Sequence, residues 1–421
     1  MSVIATAGES PRNRRPKKST PVNSSESEPL NTEAQRSPYD PFTALALESP
    51  YPEPSIISYQ DWRSFVAQKP MPRPDVPTPV QWAELSDAAK ASSRIARGAY
   101  SAAIDPILTH SRAELRDLII QQISVNRRSR DATRTSVVVR GLPTVGKTTF
   151  VMFIGKRCQI VCCQLHRGLY GQDERVHNSH TPFLPVAYIA LPSLKPGERH
   201  SLRDMLRYFA LFYGIPVRPG ISEVDLKAAI IKAARDAKTS LVIIDELSNV
   251  DLRFVGARVV SNTLKELMNT IPATFLFAGI NVTANDIFVG HDNANYVLEN
   301  ADDKDESKKK RVIRSESQMY HRLTDLEMRP FHGDLTQEGV EFIGELDSEI
   351  LLVHHQPGDL KALTAYILRR TNGFVGAIMS LVRLACNQAI VNGSERLTEE
   401  LLNGIPLSRA AEDHNRSKLG R

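Results

Sequence analysis

The chain has 421 residues, 41% of them hydrophobic, and a formal net charge of +5 at pH 7. This length allows two or three compact units, and the apolar fraction is sufficient for a buried core. Four cysteines in so long a chain exclude a disulfide framework. No apolar run approaches the roughly 18 residues of a membrane span, and no apolar signal segment follows Met1, so we expect a cytoplasmic protein with no membrane partner. The moderate positive charge permits a nucleic-acid partner without requiring one.

The first part of the chain has the composition of a tail. Residues 1–55 are rich in Pro, Ser, Glu and Arg, which is typical of disorder. The basic patch at residues 12–18 could contact DNA phosphates, although a solvated tail explains it as well. Five prolines between residues 70 and 79 indicate a connector, so we assign residues 1–79 to a disordered tail and Pro-rich connector. Residues 80–130 have a helical pattern and are predicted to form a helical N-terminal extension.

The most specific motif follows this extension. The sequence Gly-Leu-Pro-Thr-Val-Gly-Lys-Thr begins at Gly141, between a β-branched run that indicates a strand and an apolar run that indicates a helix. The two glycines let main-chain N–H groups curl around a phosphate, Lys147 can reach the β- and γ-phosphates, and the Thr148 hydroxyl can complete a Mg²⁺ shell. This spacing predicts a phosphate-binding loop for ATP and Mg²⁺. The predicted binding residues are Gly141, Pro143, Thr144, Val145, Gly146, Lys147, Thr148 and Thr149.

A second part of the predicted site lies about a hundred residues further on. Four consecutive apolar residues from Leu241 to Ile244 indicate a strand that is buried on both faces of a parallel sheet. Asp245 and Glu246 follow at its C-terminal end, where doubly wound sheets bind ligands. We expect Asp245 to hold Mg²⁺, directly or through water, and Glu246 to polarise the attacking water. The second acid favours hydrolysis over phosphoryl transfer to a small substrate.

Strand and helix patterns alternate from residue 131 to residue 331, which predicts a parallel sheet with helices on both faces. A charge-dense stretch over residues 291–317 interrupts the alternation and is predicted to be a mobile surface insertion. The candidate strands are Ser136–Arg140, Pro185–Leu191, Ser240–Asp245, Ala273–Ile280 and Leu326–Met328. The candidate helices are Leu202–Tyr213, Glu223–Asp236 and Ala257–Asn269.

Beyond Pro330 only helical patterns are found. Residues 332–405 are therefore predicted to form a small all-helical lid domain, and residues 406–421 a second tail. The candidate lid helices are Gln337–Leu352, Asp359–Arg370, Val375–Asn392 and Thr398–Asn403.

A five-stranded parallel α/β core followed by a helical lid is the plan of the AAA+ P-loop NTPases. On that plan Asn281, at the end of a candidate strand, could orient the attacking water. An asparagine after a strand is also often only a turn former. Arg322, just before the fifth strand, could reach the γ-phosphate of a neighbouring subunit. The alternative for Arg322 is an exposed, salt-bridged arginine.

Over roughly residues 110–405 the chain resembles the TniB family of AAA+ transposition regulators, related to TnsC, MuB and IstB. The most specific stretches are residues 141–149, 241–250, 272–282 and 370–383. The resemblance implies an ATPase that assembles with ATP on double-stranded DNA as a homo-oligomeric ring or filament. It also implies that the protein recruits or activates a transposase, and that hydrolysis, stimulated by DNA and by the oligomer, drives disassembly.

The chain also departs from that family, and other functions stay open. Relatives often carry an arginine where this chain has Ala377, and Arg383 on the same predicted helix is a candidate replacement. Arg253, Arg258 and Lys265 are candidates for DNA contact, although a solvated helix face explains them as well. A signalling or defence-type NTPase that oligomerises on sensing a ligand would share the loop and the acids. So would a nucleotide-binding scaffold with negligible turnover.

Overall fold

The computed structural model describes most of the chain between residues 56 and 407, with residues 257–261 and 335 described in their backbone only. The predicted Asn281 and Arg253, the predicted 291–317 insertion and most of both predicted tails lie outside the described residues. The described residues are 56–129, 134–171, 174–177, 179–192, 201–249, 257–279 and 322–407.

One sheet forms the centre of the fold, with strands β1 (Ser136–Gly141), β2 (Val186–Ala190), β3 (Leu241–Asp245), β4 (Thr274–Gly279) and β5 (Leu323–Met328). All neighbouring strands are parallel, in the order β2-β3-β4-β1-β5, which confirms the predicted five-stranded parallel sheet. The three inner strands are almost wholly buried, as their apolar runs predict. β5 begins three residues earlier than predicted, because it is an edge strand in which exposed polar residues interrupt the apolar pattern.

Four helices precede the sheet: α1 (Tyr59–Ala67), α2 (Pro79–Glu84), α3 (Asp87–Ala102) and α4 (His110–Arg128). The last three lie in the segment 80–130 predicted to be a helical extension, apart from Pro79 at the start of α2. The assignment of residues 1–79 to a tail and connector is wrong for α1. Its Trp62 is fully buried in the core of the sheet domain. A capping box between Ser58 and Asp61 begins this helix. Nine residues beside a proline-rich stretch gave too short a periodic pattern to be recognised.

Three of the helices between the strands agree with the sequence patterns to within one residue, whereas the helix after the phosphate-binding loop is much longer than the apolar run Thr149–Ile154 that indicated it. Two of them begin at serine caps, in which Ser201 and Ser222 accept hydrogen bonds from main-chain N–H groups of the first turn. The longest starts directly at the phosphate-binding loop, so its N-terminus faces whatever that loop holds. These helices are α5 (Lys147–Tyr170), α6 (Leu202–Phe212), α7 (Glu223–Asp236) and α8 (Ala257–Thr270).

The C-terminal helices, predicted to be a lid, form a hydrophobic core together with Ile104 of the N-terminal extension, and this core is distinct from that of the sheet. The first lid helix ends at Ser348 and not at Leu352 as predicted. The apolar residues that follow it are buried in irregular chain, where the Leu351 carbonyl accepts from Arg97 and the Val353 N–H donates to Glu395. These bonds replace the helical ones. The lid helices are α9 (Thr336–Ser348), α10 (Asp359–Ala362), α11 (Thr364–Thr371), α12 (Val375–Asn392) and α13 (Glu399–Gly404).

By length and composition α12 could also cross a membrane, and it is the one helix among the described residues of which this is true. Seven of its residues are buried in the centre of the lid core. Packing within the lid therefore accounts for its apolar character.

Candidate nucleotide site

The phosphate-binding loop leaves β1 and turns directly into α5. Gly146 caps the helix with φ of 94°, and Thr144 has φ of 61°. Both values lie in the left-handed region that a glycine adopts without strain and a threonine does not. A left-handed turn between a strand and a helix N-terminus is the kind of backbone that can present successive N–H groups to an anion.

Lys147 lies inside this loop, with about 8% of its surface exposed. Its ammonium donates hydrogen bonds to the Gly141 and Leu142 carbonyls, at 2.9 and 2.7 Å. Burial lowers the pKa of Lys147, against the opposing effect of the acids Glu246 and Asp245. The cation is thus held beside the loop by neutral carbonyls, and a bound phosphate would supply the charge that they lack.

The two acids at the end of β3 have different surroundings. Asp245 is buried, and its two carboxylate oxygens accept from the Tyr188 hydroxyl at 2.8 Å and from the Glu246 N–H at 2.9 Å. Glu246 is partly buried, with φ of 57°. Burial and then the Asp245 charge raise the pKa of Glu246, and Lys147 lowers it. A carboxylate whose pKa is raised is a better proton acceptor, which is the property a general base needs.

A cavity of about 830 Å³ connects the loop with the lid. The loop and Glu246 form one end of it, residues 104–108 of the N-terminal extension form a side, and the first turns of α12 form the other wall. The Gly376 N–H at the start of α12 donates to the Thr144 carbonyl at 2.8 Å. A Cβ on Gly376 would lie 3.0 Å from the Thr144 Cβ, so a larger residue there would require the lid or the loop to shift by a few tenths of an ångström.

Two arginines also line the cavity, of which Arg112 is buried and Arg383 is partly buried. Arg383, on α12, donates to the Ile104 carbonyl at 3.1 Å, and its Nε has no hydrogen-bond partner among the described residues. Burial lowers its pKa. Arg112 lies near the start of α4. Its Nε is 3.4 Å from Glu338 Oε1, and its Cζ is 4.6 Å from the centre of the Phe331 ring. Burial also lowers the pKa of Arg112, and Glu338 opposes that effect.

Most of the predicted site residues are together in this cavity. Those that line it are Pro143, Thr144, Gly146, Lys147, Thr148, Thr149 and Glu246. Gly141 and Val145 belong to the same loop, and Asp245 precedes Glu246 directly. Sequence reasoning missed Arg112 and Tyr188, since a lone arginine at a helix start or a tyrosine in a strand carries no functional pattern.

The remaining candidates are elsewhere or outside the described residues. Arg322 lies directly before β5, away from the cavity lining, and its Nη1 donates to the Asn269 side chain at 3.2 Å. Lys265 is on α8. Arg258 is described in its backbone only, and Asn281 and Arg253 are not among the described residues.

Comparison with known proteins agrees with this geometry. Residues 128–288 match the family model of the AAA domain. No curated protein matches the chain.

Solved structures similar to the chain include the Aeropyrum pernix ORC1 protein in complex with DNA, with 15% identity, a TM-score of 0.46, and coverage of 75% of this chain and 67% of that one. The Aeropyrum pernix ORC2 protein in ADPNP and ADP complexes has 15% identity and a TM-score of 0.46, with coverage of 74% and 70%. Cdc6p from Pyrobaculum aerophilum has 14% identity and a TM-score of 0.41, with coverage of 72% of both chains. Similarities this distant carry no information on ligand or activity. The chain has the AAA+ P-loop fold, a parallel five-stranded sheet with flanking helices, followed by a helical C-terminal region.

Proposed function

We propose that the protein is an ATP-hydrolysing AAA+ regulator of DNA transposition. One observation carries the ATPase part of this proposal. Lys147 of the phosphate loop and Glu246 of the acidic strand line a single cavity, and the lid closes one side of it. A cation for phosphates and a carboxylate with raised pKa in one partly enclosed site are what nucleotide hydrolysis requires.

Each residue of the site has a role in this proposal. The loop N–H groups and Lys147 bind the phosphates, while Thr148 and Asp245 hold Mg²⁺, which would neutralise charge on the phosphates. Glu246 accepts a proton from the attacking water, and Asn281 orients that water. The oxygen donors of Thr148 and Asp245 are of the kind that Mg²⁺ prefers.

Contacts between the lid and the loop allow nucleotide binding to change the position of the lid. Gly376 contacts the loop directly, and the same helix carries Arg383 into the cavity. A nucleotide that touches both walls would bind a closed lid better than an open one, and this difference in affinity shifts the population of conformations. Arg383 is then a candidate for the missing lid arginine at Ala377.

The DNA and transposase partners rest on the resemblance to the TniB family. In this proposal subunits associate on duplex DNA with ATP bound, contact its phosphates without reading sequence, and recruit or activate a transposase. Hydrolysis then releases the subunits. Arg322 completes the site of a neighbouring subunit, which requires it to exchange its hydrogen bond with Asn269 for one with the γ-phosphate.

The test measures ATP turnover and the binding of non-specific duplex DNA by four proteins. The wild type should bind DNA with ATP as an oligomer. Glu246→Gln should lose on the order of 10²-fold or more in turnover and accumulate on DNA, because an amide is a poor proton acceptor. Lys147→Ala should show no ATP-dependent DNA binding, and Arg322→Ala should bind ATP without assembling.

Two outcomes contradict the proposal. A wild type that hydrolyses ATP and oligomerises without any effect of DNA would support the signalling or defence-type reading. Absence of turnover and of ATP-dependent assembly would leave a nucleotide-binding scaffold.

A further inference from the structure

The hydroxyl of Tyr188 is bonded directly to the first acid of the site. Tyr188 lies on β2, paired with Ile243 of β3, so Asp245 is two residues further along the neighbouring strand. The hydroxyl donates to Asp245 Oδ2 at 2.8 Å, and both residues are buried, with 4% and 2% of their surfaces exposed. The bond is therefore shielded from water, which strengthens it.

The carboxylate of Asp245 is fixed by this bond and one other. Its Oδ1 accepts from the Glu246 N–H at 2.9 Å. Each carboxylate oxygen has two lone pairs, so one donor on each oxygen sets the plane of the group and leaves lone pairs for a cation. Removing one donor would free the carboxylate to rotate.

The tyrosine ring is itself held in place from α1. Trp62 stacks on it, with the ring centres 5.4 Å apart and the planes 8° from parallel. The indole N–H donates to Gln159 on α5 at 3.4 Å, and the ring lies against Gly155, where a Cβ would be 2.8 Å from it. Trp62 is outside the residues that match the AAA domain. Helix α1, which precedes the matched residues, thus supports the tyrosine that contacts the acid.

We propose that Tyr188 is a positioning residue that orients the Asp245 carboxylate for the divalent cation of the nucleotide site, with Trp62 as the support of its ring. The inference rests on the proposed role of Asp245. A tyrosine hydroxyl is protonated at neutral pH and can therefore act as the donor of this bond. Hydrogen bonds to a ligating carboxylate fix its orientation, and their loss typically reduces metal affinity or activity by about 10–100-fold.

The test is Tyr188→Phe in the full chain, which deletes one oxygen and keeps the stacked ring. The Mg²⁺ concentration for half-maximal ATP turnover should rise by about 10-fold or more. Binding of ADP in the presence of EDTA should be unchanged, since the phosphate loop is intact. Trp62→Phe keeps an aromatic face but reduces the stack, so it should shift the Mg²⁺ requirement in the same direction by less.

Tyr213→Phe is the matched control. The Tyr213 hydroxyl bonds to Thr239 at 3.1 Å, and burial raises its pKa as well, but it contacts no acid of the site. Its loss should lower stability without changing the Mg²⁺ requirement. If Tyr188→Phe behaves like Tyr213→Phe, the hydroxyl only satisfies a buried group and the inference is wrong.

Asp245→Asn separates failure of this inference from failure of the proposed function. A raised Mg²⁺ requirement in Asp245→Asn but not in Tyr188→Phe overturns the inference alone. An unchanged Mg²⁺ requirement in Asp245→Asn overturns the assignment of the cation to Asp245, and the inference with it. Should Tyr188→Phe fail to fold, Trp62→Phe gives the same comparison, and an unchanged requirement there also overturns the inference.

Discussion

Two regions of the molecule bury charge, and they do so differently. In the lid region Arg97 and Glu395 are both fully buried and pair through Arg97 Nη2 and Glu395 Oε1 at 2.9 Å. Arg97 also donates to the Leu351 carbonyl at 3.1 Å, and Glu395 accepts from the Val353 N–H at 3.3 Å. Arg94 also lies near this carboxylate, with its Nε 4.0 Å from Glu395 Oε1. Each charge of the Arg97–Glu395 pair therefore has an opposite charge and hydrogen bonds within the protein.

In the nucleotide site the buried Lys147 and the partly buried Arg383 have no such carboxylate partner among the described residues, whereas Arg112 is paired with Glu338. Lys147 is bonded to two carbonyls, and Arg383 to one. Burial lowers the pKa of both side chains, which means that the folded protein holds these cations at a cost. Cations that are buried without a carboxylate hydrogen-bonded to them suit a site that binds an anion, whereas the Arg97–Glu395 pair suits a role in stability.

The largest expected effect comes from breaking the complete pair. Glu395→Gln keeps the shape of the side chain but leaves the Arg97 charge buried without a counter-ion. The free energy of unfolding should fall by about 3–5 kcal/mol, measured by urea denaturation. Nucleotide affinity of the folded protein should be nearly unchanged, because neither residue lines the cavity.

An exposed ion pair provides the control for this change. Lys232 and Asp236 pair on the surface of α7, with 78% and 43% of their side chains exposed. Asp236→Asn should cost less than about 1 kcal/mol. Equal losses in the two variants would mean that burial of the Arg97–Glu395 pair does not matter, and the contrast between the regions would disappear.

The second expected effect, that of Lys147→Ala, falls mainly on ATP affinity and less on the free energy of unfolding. Lys147→Ala should lower ATP affinity by an order of magnitude or more, because a charge-assisted contact is worth about 1.5–3 kcal/mol. It should reduce stability less than Glu395→Gln does, since burial already disfavours the ammonium. Equilibrium titration with a fluorescent ATP analogue and urea denaturation measure the two quantities.

Lys156→Ala is a matched control on the same helix. Lys156 also donates to a main-chain carbonyl, that of Gln68 at 2.7 Å, and burial also lowers its pKa. It is not part of the cavity lining, so nucleotide affinity should not change. If the Lys147→Ala and Lys156→Ala variants bind ATP with the same affinity, the loop does not bind the nucleotide.

The same contrast explains what the sequence could predict. The loop from Gly141 to Thr148 and the acids after β3 are each contiguous in the chain, so spacing and local pattern were sufficient to locate them. The strands were predicted because inner parallel strands are continuous apolar runs. For these elements local sequence carries the structure.

Contacts between distant residues could not be predicted in this way. Arg97 and Glu395 are 298 positions apart, and Tyr188 and Asp245 are 57 apart. Their partners are decided by packing, and neither residue type nor periodicity indicates them. The burial of Trp62 in α1 was missed for the same reason, since it depends on space left by Gly155 in another helix.

The smallest effect concerns the contact between the two regions. Gly376→Ala places a Cβ 3.0 Å from the Thr144 Cβ and 3.1 Å from its carbonyl oxygen, so the loop or the lid must move by a few tenths of an ångström. Overpacking of this kind costs about 1 kcal/mol or more, which should reduce ATP affinity by roughly fivefold. The same alanine is favoured within a helix by about 1 kcal/mol, so the net stability should change little.

Gly344→Ala, in α9, separates the two contributions of Gly376→Ala. Nothing lies within 4 Å of a Cβ at Gly344, so this variant should gain the helix term of about 1 kcal/mol with no change in ATP affinity. Titration and urea denaturation of both variants then isolate the effect of the contact with Thr144. If Gly376→Ala gains as much stability as Gly344→Ala and binds ATP as the wild type does, the lid is not seated on the loop in solution. In that case α12 would not form a wall of the cavity in the free protein, and the lid would close only when the nucleotide binds.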